Sequence, residues 1–187
     1  MVTVPEVKQC IVLGNGPSLL TFPGYMLDSM PTYGGNYIGR IHQPTYYVCI
    51  DRFVILEPEI VETARNAKIA YLRNYDAQDI QPPELYSLPN VEWVSREDYV
   101  FLGENHHTGC SLVYMALKIA FKYFDTVYLV GVDHTVGHFY QGGRDRHPDI
   151  MSVREEHYRI ARREYDRAGK RIVNLSPPSA LDSIFER

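Results

Sequence analysis

Short apolar runs ending in glycine or a polar residue recur along this chain, with helical stretches between them. That alternation constrains the fold more than any other feature. Gln9-Cys10-Ile11-Val12-Leu13 runs into Gly14-Asn15-Gly16-Pro17-Ser18, and Tyr46-Tyr47-Val48-Cys49-Ile50 ends at Asp51. Residues 69–72, 91–94 and 171–175 repeat the pattern, and Thr126-Val127-Tyr128-Leu129-Val130, closed by Gly131-Val132-Asp133-His134, is its clearest instance. Their length and β-branched content predict buried strands. Residues 57–65 predict a helix, with Pro58 in the first turn and acids at that end. Residues 111–123 are apolar on most faces, with Lys118 and Lys122 on one stripe, and predict a helix packed on a sheet. A charged helix follows from about Ser152 to Ala168, stopped by Gly169. Residues 74–90 and 135–150 read as loops, and a short helix follows Pro177-Pro178-Ser179. The expectation is an α/β fold, a mainly parallel sheet with helices on both faces. In such sheets ligands sit beyond the carboxyl ends of the strands, where the strand order reverses.

With 187 residues, the chain is expected to form one domain, 1–187. Its 19 Lys+Arg against 23 Asp+Glu give a net charge of −4, and with 45% apolar residues this argues against disorder and against a nucleic-acid partner. Cys10 and Cys49 lie inside apolar runs and read as small buried hydrophobes of a reducing compartment. No basic segment leads into a long apolar one at the N-terminus, and no apolar run reaches membrane-spanning length. A cytoplasmic protein without a membrane span is therefore expected; a homo-oligomer is compatible with the composition.

Candidate site residues are sought at the strand ends. In Gly14-Asn15-Gly16-Pro17-Ser18 the glycines permit a sharp turn and Pro17 suits the first turn of a helix. The segment reads either as a phosphate cradle built from backbone N–H groups or as a plain tight turn. The third glycine of a dinucleotide fingerprint and the Gly-Lys-Ser/Thr of a Walker loop are both missing. Thr108-Gly109-Cys110-Ser111 opens the apolar helix, where Thr108 or Ser111 can cap it or meet a ligand. The last strand ends in Asn174-Leu175-Ser176. Asp133-His134, His138 and Asp145-Arg146-His147 match no metal-ligand spacing, so no metal is expected, while histidine in such loops supplies a general base most readily. His157 shares a helical stripe with Val153, Ala161 and Tyr165 and reads as a core histidine. Residues 153–172 carry a net charge of +3, read as a solvated face laced with ion pairs.

Taken together, Ile11-Val12-Leu13-Gly14-Asn15-Gly16-Pro17-Ser18-Leu19, Tyr33-Gly34-Gly35-Asn36-Tyr37-Ile38, residues 44–51, Thr108–Ser111, Val127–Asp133, His138-Phe139-Tyr140 and Gly169–Ser179 resemble, in collinear order, the bacterial lipooligosaccharide sialyltransferases. They also resemble the relatives filed with the archaeal 6-hydroxymethylpterin diphosphokinase-like family. The resemblance implies a Rossmann-like glycosyltransferase fold that works without a metal or other cofactor. Its donor would be a nucleotide-activated sugar, CMP-linked in the sialyltransferases, and its acceptor a glycan or other hydroxyl. It implies nucleotide contacts at Gly14, Asn15, Gly16, Pro17, Ser18 and Asn36, and at the helix-opening Thr108, Gly109, Cys110 and Ser111. Asp51 stands where those enzymes carry asparagine and, beside a phosphodiester, suits ribose or sugar hydroxyls better than phosphate. Asp133, His134 and Ser176 complete the donor side, Tyr140 would stabilise the leaving phosphate, and His138 or His147 would be the base. The chain lacks the acceptor-covering insertion of the sialyltransferases, so sialic acid is not implied. A magnesium-dependent pterin-type diphosphokinase and a non-catalytic nucleotide-binding module are the alternatives.

Overall fold

The structure is a computed structural model describing residues 8–51, 53–74, 82–95, 111–134, 137–140 and 148–187, apart from the side chains of residues 148–152. Seven strands are described: β1 (Gln9–Leu13), β2 (Thr32–Gly35), β3 (Tyr46–Cys49), β4 (Ile69–Arg73), β5 (Val91–Val94), β6 (Thr126–Val130) and β7 (Arg171–Asn174). The helices are α1 (Gly24–Leu27), α2 (Pro58–Asn66), α3 (Pro83–Tyr86), α4 (Leu112–Phe121) and α5 (Pro148–Arg167). Tight 3-10 turns occupy Pro17–Thr21, Asn36–Arg40, Val54–Leu56 and Ala180–Ser183. The strands form one sheet in the order β5-β4-β3-β2-β1-β6-β7, and every pairing is parallel. This is the α/β, Rossmann-like three-layer sandwich that the alternation predicts.

A parallel sheet is covered on both faces, so its strands must be apolar on both sides. In β1, Cys10 and Val12 enter one core while Ile11 and Leu13 enter the other. In β4, Tyr71 enters the first and Ala70 and Leu72 the second. The first core is closed by α4, which packs on β1, β2 and β3, with α5 against α4 and β7. Burying each Leu or Ile there is worth about 1.5–3 kcal/mol, which is why α4 is apolar nearly all round: Val113 to Leu117, Ile119 and Ala120 are all buried. The second core is closed by α2, α3 and the first three 3-10 turns, while Leu181 of the fourth enters the first core. His157, 2% exposed, stacks on Tyr114 with ring centroids 4.7 Å apart, so it sits in the first core as its helical stripe predicts. Cys10 and Cys49 are fully buried.

Three features depart from the reading by periodicity. Strand β2 has no run of apolar residues, because two of its four residues are glycine; all four are buried. Glycine is required there, since a Cβ at Gly35 would lie 1.9 Å from the Val48 carbonyl oxygen and 2.4 Å from Leu112 Cδ1. The segment read as a loop contains α3, and α5 begins at Pro148, four residues before the expected start. Its end is as expected: Gly169 adopts φ +68°, and the N–H groups of Gly169 and Lys170 donate back to Asp166 and Tyr165. From β1 the order runs outward to β5 on one side and to β7 on the other, so the reversal lies between β1 and β6.

Candidate functional site

At that reversal the ends of β1 and β6 are stitched together. Gly14 N–H donates to Val130 O and Gly16 N–H to Gly131 O, each at 2.8 Å. The contact is close enough to demand glycine: a Cβ on Gly14 would lie 2.2 Å from Gly131 O, and one on Gly16 would lie 2.5 Å from the Asp133 carboxylate. Ser18 N–H donates to Asp133 Oδ2 at 2.9 Å, and the Ser18 hydroxyl makes a short hydrogen bond to Asp133 Oδ1. The N–H groups of Gly14, Gly16 and Ser18 are therefore occupied internally. Of the two readings of this segment, these bonds favour the plain tight turn: a carboxylate already fills the N-terminus of the Pro17–Thr21 turn, which is a five-residue 3-10 segment. The sequence could not show this, because the partner lies 115 residues away.

Asn15 joins this crevice to β2 and to the segment 137–140. Its Nδ2 donates to Gly35 O at a long 3.4 Å, and its carbonyl accepts from Phe139 N–H at 2.9 Å. Asn15 is 9% exposed, and its Oδ1 is buried with no partner among the described residues. Such an acceptor costs about 1–3 kcal/mol unless a water or ligand satisfies it. Asn36, just beyond β2, adopts φ +52°, a region asparagine tolerates better than most residues. Its carbonyl accepts from Tyr47 OH at 2.8 Å and its Oδ1 lies 3.8 Å from Cys49 Sγ. Asp51, just after β3, uses Oδ1 to accept from Phe53 N–H at 2.9 Å; its Oδ2 has no partner among the described residues.

Above these strand ends lies an aromatic stack that the sequence did not reveal. Tyr37 and Tyr140 approach with centroids 4.5 Å apart, and His138 stacks on Tyr140 at 5.1 Å with the rings 7° from parallel. The Arg40 guanidinium sits 4.3 Å above the Tyr37 ring and pairs in bidentate fashion with Glu59. Burial, with Glu57 nearby, raises the Tyr37 hydroxyl above its ordinary pKa, so it stays protonated.

On the β6 side, His134 adopts φ +51° and its Nε2 lies 3.1 Å from Glu155 Oε1 on α5, with the His134 side chain 4% exposed. Glu155 was not foreseen as its partner, since nothing in the local pattern joins residues 21 positions apart. Ser111 caps α4 by accepting from Tyr114 N–H at 3.1 Å, and its hydroxyl lies 3.3 Å from Tyr158 OH. Ser176 is buried and accepts from Val132 N–H at 2.9 Å, fastening the ends of β6 and β7. Among the described residues, no three or more His, Cys, Asp or Glu side chains are grouped to hold a metal ion, and no helix is long and apolar enough to cross a membrane.

No family model, curated protein or solved structure matches this chain.

The fold therefore brings Gly14, Asn15, Gly16, Pro17, Ser18, Asn36, Asp51, Ser111, Asp133, His134 and Ser176 to one edge of the sheet, with His138 and Tyr140 beside them. Within this set, Asp133, Ser18 and Ser176 hold the crevice together, while Asn15 and Asp51 keep unpaired oxygens. Thr108, Gly109, Cys110 and His147 lie outside the described residues.

Proposed function

We propose that this strand-end crevice binds a nucleotide-activated sugar and transfers the sugar to a hydroxyl acceptor. The observation that carries the reading is the bridge made by Asn15 between β1, the end of β2 and the segment bearing His138 and Tyr140. A donor seated at the crevice would meet that residue's buried, unsatisfied amide oxygen. Because Asp133 fills the N-terminus of the Pro17–Thr21 turn, the phosphate is placed at the N-terminus of the longer helix α4 instead. That helix opens at Ser111, with Leu112 packed against Gly35.

In this mechanism His138 takes the proton from the acceptor hydroxyl, whose oxygen attacks the anomeric carbon. The bond from that carbon to the phosphate oxygen breaks, and the nucleotide leaves with the electron pair. The Tyr140 hydroxyl and the α4 N–H groups stabilise the developing phosphate charge. Asp51 Oδ2 accepts from a ribose or sugar hydroxyl. His134, held by Glu155, fixes the end of β6 beneath the donor.

A thermal-shift panel of CMP, CDP, UDP, GDP and ATP, each with and without magnesium, tests the reading. Stabilisation by a pyrimidine nucleotide is expected, independent of magnesium. Stabilisation by ATP with magnesium alone would replace it with phosphoryl transfer.

A further inference from the structure

A cleft of about 260 Å³ opens between the Asn36–Arg40 turn and α2, next to the crevice and sharing Asn36 with it. Asn36 and Tyr37, the first residues beyond β2, form its inner wall, and Arg40, Gln43, Glu59, Glu62 and Asn66 are among the residues that line the rest. Its size is below the usual range for drug-sized ligands, which suits a single ring and is too small for a whole nucleotide.

The lining selects the ligand chemistry. Arg40 is held by Glu59 through Nε and Nη2, and Arg65 pairs with Glu62 at 2.9 Å, so each of these positive charges is matched by a carboxylate. The described lining itself sets Arg40 against Glu59 and Glu62, a net charge of −1 that disfavours a phosphate or carboxylate. What it does offer is hydrogen-bonding capacity. The Asn36 Nδ2, Tyr37 hydroxyl, Gln43 Oε1 and Asn66 Oδ1 have no partners among the described residues, and the two carboxylates can accept further bonds. Acceptor oxygens outnumber donors, with an aromatic side chain alongside. A neutral ring rich in hydroxyl groups satisfies such a set; an anion does not.

We infer that this cleft seats a neutral, polyhydroxylated ring of monosaccharide size. Resting on the transfer reaction proposed above, it is the acceptor subsite. Tyr37 is shared between the cleft and the stack leading through Tyr140 to His138, so a hydroxyl of the seated ring lies on the side of the crevice where the base is placed.

Saturation-transfer NMR on the full chain with methyl β-D-galactopyranoside and methyl α-D-glucopyranoside, and with N-acetylneuraminic acid as an anionic control, tests the assignment. At least one neutral glycoside should bind saturably and more tightly than the acid. Asn66→Trp, which fills the cleft from its exposed rim, and Glu62→Ala, which removes a carboxylate, should each weaken that binding at least roughly tenfold. Neither should change the melting shift given by nucleotides. Absence of glycoside binding, preference for the acid, or binding to the variants as tight as to the unmodified protein would overturn the assignment. Glycoside binding lost in both variants, in a protein that no nucleotide stabilises, would uphold the cleft and sink the transfer reaction alone.

Discussion

Ser18 and Asp133, 115 residues apart in sequence, make two hydrogen bonds across the ends of adjacent parallel strands, backbone N–H to Oδ2 and hydroxyl to Oδ1. The carboxylate acts as the cap of the turn after β1, although it is carried by the loop after β6. Asp133→Ala should cost about 1–2 kcal/mol, as loss of a helix cap does, lowering Tm by roughly 2–8 °C in a protein of this size. Ser18→Ala should cost less, since its N–H bond survives. The double variant should fall short of the sum, because both changes break one interaction. Additive losses in thermal denaturation would show that the two residues act separately.

Gly35 and Gly169 separate two reasons for glycine. A Cβ on Gly35 would strike the Val48 carbonyl and Leu112, so Gly35→Ala should cost upward of about 4 kcal/mol and leave little folded protein. Gly169 has φ +68° and open space around it, so Gly169→Ala should cost about 1 kcal/mol. Urea titration of the two variants side by side checks the contrast.

His138→Ala should reduce sugar transfer by roughly 10²–10⁴-fold while leaving the nucleotide dissociation constant within about twofold, as expected for loss of a general base. Tyr140→Phe keeps the ring stack and removes only the hydroxyl, so its effect should fall on kcat with KM unchanged. Transfer rates from single-turnover experiments distinguish these outcomes; an unchanged rate in His138→Ala would remove the residue from the chemistry.

Burial lowers the pKa of His42, and Asp28, 4.0 Å away, only partly offsets it. The native state thus binds fewer protons than the unfolded chain between the depressed value and the ordinary one near ~6.5. Its contribution to stability is complete above that ordinary value and is lost as pH falls from there toward the folded pKa. His42→Gln, which retains a hydrogen-bonding group toward Thr32, should flatten the decline of Tm between about pH 7 and pH 5. Parallel curves for the two proteins would rule out this source of acid sensitivity.

Burial pushes the Cys49 thiol up to about 12 and raises the Cys10 thiol further still. In a Cys110→Ser background these are the only thiols. Neither should react with an aromatic disulfide at pH 8 until the protein is unfolded, when both should react. Rapid labelling of the native protein would mean that the sheet opens locally.

The legible parts of the fold were those with continuous apolar runs. Val127, Leu129 and Val130 are apolar on both sides because both faces of β6 are covered, and α4 is apolar nearly all round for the same reason. Strand β2 was hidden by Gly34 and Gly35, whose absent side chains are a condition of the packing. At the proposed site, sequence placed the candidate residues at the carboxyl ends of the strands but did not show how their groups are spent. The N–H groups of the Gly14–Ser18 turn looked free because their acceptors, Val130, Gly131 and Asp133, lie more than 100 positions downstream. The partnership of Tyr37 with Tyr140 is equally remote in sequence.

The placement of β6 against β1, across the sheet from β5, bears on how the chain must be made. Until residue 126 has left the ribosome, β1 can pair only with β2, and one entire side of the first strand stays bare. An emerging N-terminal half therefore carries an unprotected apolar edge of the kind that recruits other nascent chains. Closing it requires a contact of very long sequence separation, which makes assembly slow. Truncations that stop before β6 should be insoluble for that reason, whatever the stability of the completed sheet.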